Sequence, residues 1–593
     1  MASELLKTFQ KIEKGRLACI DKARELGITS ITENSSLEDI RQCLDLLGYK
    51  SDWADSYVSL IDNSYGANIT RLPESITEIG NYAFYRRTNF DPNILPDTVE
   101  TIGDYALYYV QTPITKLPRN LKTLKSYALA YTNLADITEL PDTLETIESN
   151  AFNKANLTKL TKLPRYIKVL HNYAFPPETL NNLEALPDNV TIGYGIFKNS
   201  DLTKLTSFGN NIQVGIQDTE PSSSGTYGFN GVSFDSLEEF PNTLNKLKWS
   251  CFYSCSFPVL KKMFNKITTT ATTNSTGGAY AVFTSCNFAE LEEFPEDFEG
   301  CIQNFTACTF EKLKKLPKKL NSYAFASCIF RNITGELDLS DHTMGLHCLS
   351  GCSFNKVTSL ITPANAQRIF ENASFNALTS LHITSKSIDQ YAFNGCDFSQ
   401  LTSLTSEATS VGNYAFGGTL MPNLEELPNS IESTGYESFR SADLTGLKKL
   451  PDNLKSCGEY CFTSAKFSFT TLVLPKNFTY MITRCFQYCS TIDTIIVTAS
   501  SFGFHSYGLQ NMTALSKLVF PNIEAVPTLS TAISTLLSGS SKLSASAGYI
   551  YVPSHLVDKM KTHSYWKTLA SRIKPLEDWS GYQDWLASNS TGE

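Results

Sequence analysis

Long hydrophobic runs are missing from this sequence of 593 residues. No apolar stretch approaches the roughly 18 consecutive residues that a membrane-spanning helix needs, so we expect no membrane insertion. The first twenty residues, MASELLKTFQKIEKGRLACI, are charged throughout and lack the apolar centre of a secretory signal. The sequence therefore predicts a soluble chain that folds in the cytoplasm.

A strong excess of charge of either sign is also lacking. The 50 basic and 59 acidic residues interleave along the chain and leave a formal net charge of -9. No basic stripe is present that would bind a phosphate backbone or an anionic lipid surface, so we expect no nucleic-acid partner. The seven histidines are too scattered for a catalytic triad to be argued.

One repeated phrase dominates the sequence instead. LPDTLETIESNAF at 140–152 recurs as LPDTVETIGDYAL at 95–107 and as LPESITEIGNYAF at 72–84, and most steps are 22 or 23 residues. A fixed period in this range is typical of a leucine-rich solenoid, in which each turn covers the apolar face of its neighbours. The last position of the phrase recurs at Phe84, Leu107, Leu129, Phe152, Phe175, Phe197, Phe229, Phe252, Phe283, Phe305, Phe325, Leu349, Phe370, Phe393, Phe416, Phe439, Phe462, Phe486 and Leu509.

Each part of the phrase has a predicted structural role. The Leu-Pro pair, as in Leu95-Pro96, is expected to end a short strand, because proline cannot donate to a ladder. Gly103 lies at a plausible tight corner, although Lys125 and Glu148 occupy the same column, so a positive φ cannot be obligatory there. Small residues precede the Phe/Leu position, which we expect to form a continuous apolar spine worth about 1.5 to 3 kcal/mol per buried side chain.

The pattern resembles the BspA-like leucine-rich repeats. LTKLTKLPRYIKVLHNYAF (157–175) and LEELPNSIESTGYESF (424–439) carry the resemblance, AFASC (324–328) and AFNGC (392–396) add the family's closing cysteine, and the match weakens between 330 and 375. The predicted fold is an α/β repeat solenoid dominated by short β-strands, with about 19 turns of 22–23 residues. The resemblance implies adhesion or recognition, on bacterial and protist cell surfaces or in phage tails, and implies no activity.

The ends of the chain differ from the repeats and predict three domains. Residues 1–64 are expected to form a helical docking or capping segment, since SSLEDIRQCLDLLG starts with a serine cap and ends at Gly48. Residues 65–545 form the solenoid. Residues 546–593 form an α/β cap, because GYIYVPSHLVDKMKTHSYWKTLASRIKPLED (548–578) resembles the closing segment of BspA-like and phage-encoded repeat proteins. The side chains expected to cover the last turn are Tyr551, Val552, Leu556, Trp566 and Ile573.

The 15 cysteines fall mostly into two columns of the repeat. Equivalent residues of stacked turns are about 4.8 Å apart, whereas a disulfide needs Cβ atoms about 3.8 Å apart, so we expect free, buried thiols. His342, His347, Cys348 and Cys352 form a conceivable zinc set, but their spacing matches no standard finger. We therefore expect no metal and no cofactor.

Two insertions interrupt the period. The step from Phe197 to Phe229 is 32 residues and that from Phe252 to Phe283 is 31, because DTEPSSSGT (218–226) and TTTATTNSTGG (268–278) are added at one register. Insertions in repeat proteins often lie on the binding face. They are either tolerated surface loops or a recognition surface, and in the second case the candidate binding residues are Ser223, Gly225, Thr272 and Asn274.

These features favour a non-enzymatic recognition protein. Our first hypothesis is a bacteriophage tail or baseplate protein, which folds in the host cytoplasm and reaches a surface within the virion. Its partners would be a host cell-surface carbohydrate or protein and, through the N-terminal helices, other virion proteins. The alternatives are a cellular BspA-like surface adhesin and a glycan-active hydrolase, which would need paired carboxylates in a cleft.

Overall fold

The computed structural model of the protein describes residues 76–193, 195–198, 200–214, 228–245, 251–268, 282–298 and 304–589, with the single residues 17, 20, 21, 72, 74 and 247. The predicted helical segment 1–64 lies almost wholly outside them, and so do the two insertions. The chain divides into two compact units. Unit 1 is Met1–Leu202 with Ile216–Glu220, and unit 2 is Thr203–Gly215 with Pro221–Glu593.

Unit 1 is a parallel β-solenoid. Six two-residue strands pair in register, so that Ile79 lies beside Ile102, and each strand places a Thr, Glu or Val outside and an Ile or Leu in the core. The six strands are β1 (Glu78–Ile79), β2 (Thr101–Ile102), β3 (Thr123–Leu124), β4 (Thr146–Ile147), β5 (Val169–Leu170) and β6 (Thr191–Ile192). The unit also contains β7 (Phe197–Lys198) and 3-10 turns at Pro92–Ile94 and Pro177–Leu180.

Unit 2 repeats the same parallel architecture over more turns. Its longest strands lie in two sheets, one of five strands in the order β30-β32-β34-β36-β37 and one of four strands in the order β20-β22-β23-β25. The strands are β8 (Gln213–Val214), β9 (Phe229–Asn230), β10 (Thr243–Asn245), β11 (Phe252–Tyr253), β12 (Ser256–Phe257), β13 (Lys266–Thr268), β14 (Phe283–Thr284), β15 (Asn287–Phe288), β16 (Phe305–Thr306), β17 (Thr309–Phe310), β18 (Lys319–Leu320), β19 (Ile329–Phe330), β20 (Thr334–Asp338), β21 (Thr343–Met344), β22 (Lys356–Ile361), β23 (Ser380–Ile383), β24 (Ser387–Ile388), β25 (Ser403–Ser406), β26 (Ser410–Val411), β27 (Ser433–Thr434), β28 (Asp443–Leu444), β29 (Lys466–Phe467), β30 (Thr471–Leu474), β31 (Tyr480–Met481), β32 (Thr494–Val497), β33 (Gly503–Phe504), β34 (Lys517–Val519), β35 (Thr528–Leu529), β36 (Tyr549–Val552) and β37 (Ile573–Pro575).

The predicted spine is confirmed in both units. All nineteen residues at the last position of the phrase are buried, and most are fully excluded from solvent. Their rings stack from turn to turn: Phe439 lies between Phe416 and Phe462, with centroid separations of 5.3 and 5.2 Å. Because only neighbouring turns touch each ring, the core is a column rather than a globular centre.

A pair of left-handed residues shapes each regular corner. Tyr82 (φ 59°) and Arg86 (φ 57°) bracket the buried Ala83-Phe84 pair, and the same four-residue spacing recurs in most later turns. The amides of these residues donate to the next turn, as from Tyr82 N to Asp104 O at 2.8 Å and from Arg86 N to Tyr108 O at 2.7 Å. These bonds hold a conformation that costs a non-glycine residue about 1–2 kcal/mol.

The glycine expected at the corner has a different purpose. Gly103 and Gly412 are absent from the residues with positive φ. A Cβ added to Gly103 would lie 2.7 Å from the backbone nitrogen of Asn81 in the preceding turn, so this glycine permits close approach of two turns. The sequence argument that φ need not be positive in this column is confirmed.

The predicted strand before each Leu-Pro pair is wrong for most of unit 1. There the pairing before Leu140-Pro141 shrinks to the single bridge between Glu139 and Lys162, and the two-residue strand follows the proline, at Thr146–Ile147. The charged and polar side chains of Asp136, Thr138 and Glu139 before the proline give little apolar surface to hold a longer ladder. In unit 2 the pairs Leu427-Pro428 and Leu450-Pro451 also lack a strand directly before the proline, whereas the apolar strand β30 does end just before Pro475.

The C-terminal residues of unit 2 continue the parallel sheet. β36 pairs with β34 and β37, and all five side chains predicted to cover the last turn are buried. Trp566 is fully buried, and its Nε1 donates to the carbonyl of Pro527 at 2.9 Å. The α-helices here are α1 (Ile533–Leu536), α2 (Val557–Thr562) and α3 (Tyr582–Asn589), with a π-turn at Lys542–Ser546 and 3-10 turns at Ser554–Leu556, Trp566–Arg572 and Leu576–Asp578.

Candidate functional site

An exposed cluster of aromatic rings covers the corners of three successive turns in unit 1. We call it the tyrosine surface. The left-handed backbone at Tyr82 directs its side chain outward while the following Ala83 and Phe84 enter the core, and Tyr82 is 48% exposed. The tyrosine surface consists of Tyr82, Tyr85, Tyr105, Tyr108, Tyr109, Tyr127 and Tyr131.

The rings form three columns that run along the stack of turns. In the first column Tyr105 stacks on Tyr82 at 5.1 Å and on Tyr127 at 4.7 Å, with planes within 7°. In the second column Tyr85 stacks on Tyr108 at 5.0 Å. The third column holds two more tyrosines, tilted against each other by 46°. Because each ring is held by its neighbours, the surface is ordered before any ligand arrives.

Two cations border the third column. The Arg86 guanidinium lies 5.4 Å from the ring centroid of Tyr109, and the Lys154 ammonium lies 5.4 Å from that of Tyr131. Both side chains are exposed, and neither forms an ion pair with any carboxylate of the described residues. Among the described residues, these two cations contact aromatic rings and no carboxylate.

Most other charges of unit 1 are paired between turns. Lys122 lies 2.9 Å from Glu100 and Lys162 lies 2.9 Å from Glu139, in each case one turn apart. Acidic side chains of these turns are thus largely paired with lysines of neighbouring turns. Exposed pairs of this kind contribute little stability, about 0–1 kcal/mol each, but they leave a locally neutral surface. Arg86 and Lys154 depart from that pattern, as do Lys116 and Arg165 outside the tyrosine surface, the latter 5.6 Å from the ring centroid of Tyr166.

The tyrosine hydroxyls also lack hydrogen-bond partners among the described residues. In the part of unit 1 that the structure describes, none of the seven donates to or accepts from another protein group. Burial and the neighbouring tyrosine Tyr127 raise the pKa of Tyr105, and burial and Tyr131 raise the pKa of Tyr108. The hydroxyls of Tyr105 and Tyr108 therefore remain protonated at neutral pH, and each can both donate and accept a hydrogen bond.

Unit 2 uses aromatic corner residues differently. Arg368 lies 3.8 Å from the Tyr391 ring centroid and also approaches Glu371, and the Nη1 of Arg484 donates to the hydroxyl of Tyr460 at 2.5 Å. The buried Glu437 pairs with a nearby arginine at 2.6 Å. These polar groups pair with one another, so the aromatic corner residues of unit 2 contribute to the stability of the fold.

The candidate binding residues proposed from the insertions lie outside the described residues. Ser223, Gly225, Thr272 and Asn274 are in the two added segments. The structure neither brings them together nor separates them, and their role stays a prediction.

The cysteine columns have a structural role. The twelve cysteines in the described part of the chain are free and buried, as predicted. Several thiols donate to the carbonyl of the spine residue one turn back, as from Cys396 to Phe370 O at 2.9 Å, and Thr419 makes the equivalent bond to Phe393 O one turn later. Burial raises the pKa of Cys348 to about 12, so that thiol is protonated at neutral pH.

The histidines and cysteines weighed as a zinc set do not converge. His347 stacks on Tyr323 at 4.6 Å, and its Nδ1 lies 3.3 Å from Glu371, while Cys348 and Cys352 are buried in their own columns. In the described residues, no group of three or more His, Cys, Asp or Glu side chains is placed to hold a metal ion.

A shallow groove of about 500 Å³ also lies on unit 2, lined by Phe240, Met263 and Phe294. Its charged rim is internally paired, since Lys262 lies 3.1 Å from Glu239. The groove thus offers fewer free polar groups than the tyrosine surface does.

Sequence reasoning missed the tyrosine surface. The letters YAF served only to mark the register, and their first residue reads as part of an apolar box. The available signal was local density: two or three tyrosines per turn in Tyr82–Tyr85, Tyr105–Tyr109 and Tyr127–Tyr131, against at most one at most other corners.

No described helix has both the length and the apolar character to cross a membrane. No curated protein matches the chain. A leucine-rich repeat protein from Bacteroides ovatus is similar at 16% identity over 68% of this chain and 83% of its own, with a TM-score of 0.26. A leucine rich cell surface protein from Faecalibacterium prausnitzii is similar at 11% identity over 47% of this chain and 81% of its own, with a TM-score of 0.20. Scores this low carry no information on a ligand.

The family model described as "BspA type Leucine rich repeat region (6 copies)" matches residues 63–177, 115–218, 294–421 and 409–531, well over half of the sequence. The matched ranges contain most of the spine and the whole tyrosine surface. With its period, its stacked spine and its closing cysteines, the chain belongs to the BspA-type leucine-rich repeat family.

Proposed function

We propose that this protein is a non-enzymatic recognition protein, and that the tyrosine surface is its contact region. One observation carries the proposal: among the described residues, seven hydroxyls without a hydrogen-bond partner and two cations without a carboxylate partner lie on one exposed, ordered surface, whereas charged groups elsewhere in unit 1 are mostly paired. Polar groups left free in this way are available to a ligand.

Tyrosine is well suited to such contacts. It offers a large amphipathic area and has only two side-chain torsions to fix, so it loses little entropy on binding. Stacking between Tyr82, Tyr105 and Tyr127 has already fixed those torsions. Affinity is gained when a binding surface is ordered in advance.

The setting proposed first is the tail or baseplate of a bacteriophage, with the solenoid facing a host cell-surface carbohydrate or protein and the N-terminal segment 1–64 docking on other virion proteins. The family resemblance of the closing segment 548–578 supports this setting. The alternative is a cellular surface adhesin, which the same family supports. Immunogold electron microscopy distinguishes them, because the label would lie on phage tails in the first case and on bacterial envelopes in the second.

The proposed contact is tested by cell binding. The triple variant Tyr105→Asn, Tyr108→Asn, Tyr109→Asn removes one turn of the surface, and asparagine already occupies these columns at Asn150, Asn153 and Asn372. We expect the labelled wild-type chain to bind at least one member of a panel of Gram-negative and Gram-positive bacteria, and the variant to lose most of that binding.

The matched control is Tyr488→Asn in unit 2. Tyr488 is 53% exposed, has a positive φ and lies in the column of Tyr109, so it reproduces the chemical change away from the tyrosine surface. We expect it to bind as the wild type does. Equal binding by the wild type and the triple variant would rule out the tyrosine surface as the contact.

A further inference from the structure

The geometry of the tyrosine surface also indicates what kind of molecule it contacts. We propose that its ligand is an extended, anionic polysaccharide that runs along the stack of turns. This inference rests on the proposed function, because it names the ligand class of the same surface. Three features carry it: the repeat of the rings, the groups that they leave exposed, and the two cations.

The rings repeat at the spacing of the turns. Centroid separations along the columns are 5.1 and 4.7 Å in the first and 5.0 Å in the second. A pyranose residue in an extended polysaccharide advances by a similar length, so successive sugars can meet equivalent hydroxyls on successive turns. A peptide strand advances by about 3.3 Å per residue and would fall out of step within one turn.

The rings present edges rather than faces. Tyr105 has one face covered by Tyr82 and the other by Tyr127, with interplanar angles of 3° and 7°. A ligand therefore cannot lie flat on these inner rings. What remains accessible is a row of phenolic hydroxyls, each able to donate and accept, and a polymer rich in hydroxyl groups matches such a row.

The two cations require negative charge on the ligand. Arg86 and Lys154 stand at the two ends of the third column, three turns apart, which corresponds to roughly 14 Å at about 4.8 Å per turn. The nearest carboxylates in sequence are engaged with the backbone, since Asp91 accepts from the amide of Asn93 and Glu148 accepts from the amide of Ser126. Carboxylate, sulfate or phosphate groups repeated along a chain would meet both cations, and Arg86 can bind an oxyanion with two hydrogen bonds.

Titration calorimetry with the full-length chain tests the ligand class. The anionic probes are polygalacturonate, heparin and a teichoic acid, which carry carboxylate, sulfate and phosphate, and the neutral probe is dextran. We expect at least one anionic probe to bind, with an affinity at least tenfold above that for dextran and decreasing as salt is raised. We also expect fragments shorter than three sugars to bind at least tenfold more weakly than the polymer.

The double variant Arg86→Asn, Lys154→Asn tests the two cations. Asn372 and Asn511 already occupy this column with positive φ, so the change suits the backbone, and circular dichroism and the melting temperature confirm folding. We expect about a tenfold loss of affinity for the anionic probe and a flatter salt dependence. Tyr488→Asn is again the control and should leave both unchanged.

The outcomes separate this inference from the proposed function. If the tyrosine triple variant loses cell binding while none of the three anionic probes binds, or while the double variant binds its probe as the wild type does, the surface is a recognition site and the anionic polysaccharide is wrong. If the tyrosine triple variant keeps cell binding, the proposed function fails first. Equal affinity for dextran and the anionic probes would also overturn the inference.

Discussion

Truncation of a spine residue is the most direct test of how the solenoid is stabilised. Phe439 is fully buried in unit 2 and stacks on Phe416 and Phe462 at 5.3 and 5.2 Å. Replacing such a phenylalanine with alanine costs about 3–5 kcal/mol through lost burial and a residual cavity. The two stacked pairs add roughly 0.5–1.5 kcal/mol each beyond area, so we expect Phe439→Ala to lie near the upper end of that range.

The matched variant is Phe439→Leu. Leucine occupies the same column at Leu107, Leu129, Leu349 and Leu509, and each of these leucines is fully buried. The turn therefore has room for a leucine without rearrangement. We expect a cost below about 1.5 kcal/mol, as for other volume-conserving core changes. The difference in unfolding free energy between the two variants separates the cost of the cavity from the cost of losing the aromatic ring.

Native-state hydrogen exchange is the appropriate measurement, because a repeat protein can open locally. The reporters are amides that donate between adjacent turns, namely Phe416 N to Ser438 O at 2.8 Å and Phe439 N to Cys461 O at 2.9 Å. A loss of about 4 kcal/mol would reduce their protection roughly a thousandfold. The amide of Leu349, several turns away, should change little. A uniform loss of protection throughout unit 2 would refute the nearest-neighbour account of the core.

Two further predictions concern the corners. Ser441 has φ 56° and occupies the same column of the repeat as Gly418, so Ser441→Gly should stabilise unit 2 by about 0.5–1 kcal/mol in urea unfolding. Conversely, Gly418→Ala should cost about 1–2 kcal/mol. This cost is backbone strain alone, because the added Cβ would meet no atom closer than 3.9 Å. Burial lowers the pKa of His347, although the charge of Glu371 opposes this shift. The folded state therefore favours the neutral imidazole. Its contribution to stability is complete above about pH 6.5 and is lost as the pH falls through the lowered pKa. His347→Tyr, which retains the stack on Tyr323, should make the urea midpoint less sensitive to pH between 7 and 5; equal sensitivity in both proteins would contradict this assignment.

The features that the sequence predicted are those set by contacts between neighbouring turns. A buried ring must recur at the period of the turns, so Phe84 and its eighteen equivalents could be found by spacing alone. The free thiols followed from the same regularity, because residues stacked in one column are too far apart to bridge. Both predictions depend on one repeated distance and on no long-range information.

The features that the sequence did not predict depend on backbone dihedral angles. Nothing in the letters YAF shows that the tyrosine has a positive φ and points away from the alanine and phenylalanine that follow it. The position of the short strand in unit 1 was also missed. Charged residues before Leu140-Pro141 allow only a single bridge there, and the strand follows the proline instead. Periodicity identifies what is buried, but it does not identify which side chains the corner turns outward.

The third column of the corner gives the strongest reason to assign the tyrosine surface to function rather than to folding. In unit 2 this column mostly holds residues that accept a positive φ readily or are small, such as Gly395, Gly418 and Ser464. In unit 1 it holds Arg86, Tyr109, Tyr131 and Lys154, for which the same backbone costs about 1–2 kcal/mol each. These side chains are exposed or half-buried and fill no part of the core, so core burial does not offset the strain, and their contacts lie within the tyrosine surface itself. A local preference that is broken in successive turns without gain in core burial supports the proposed contact with a ligand.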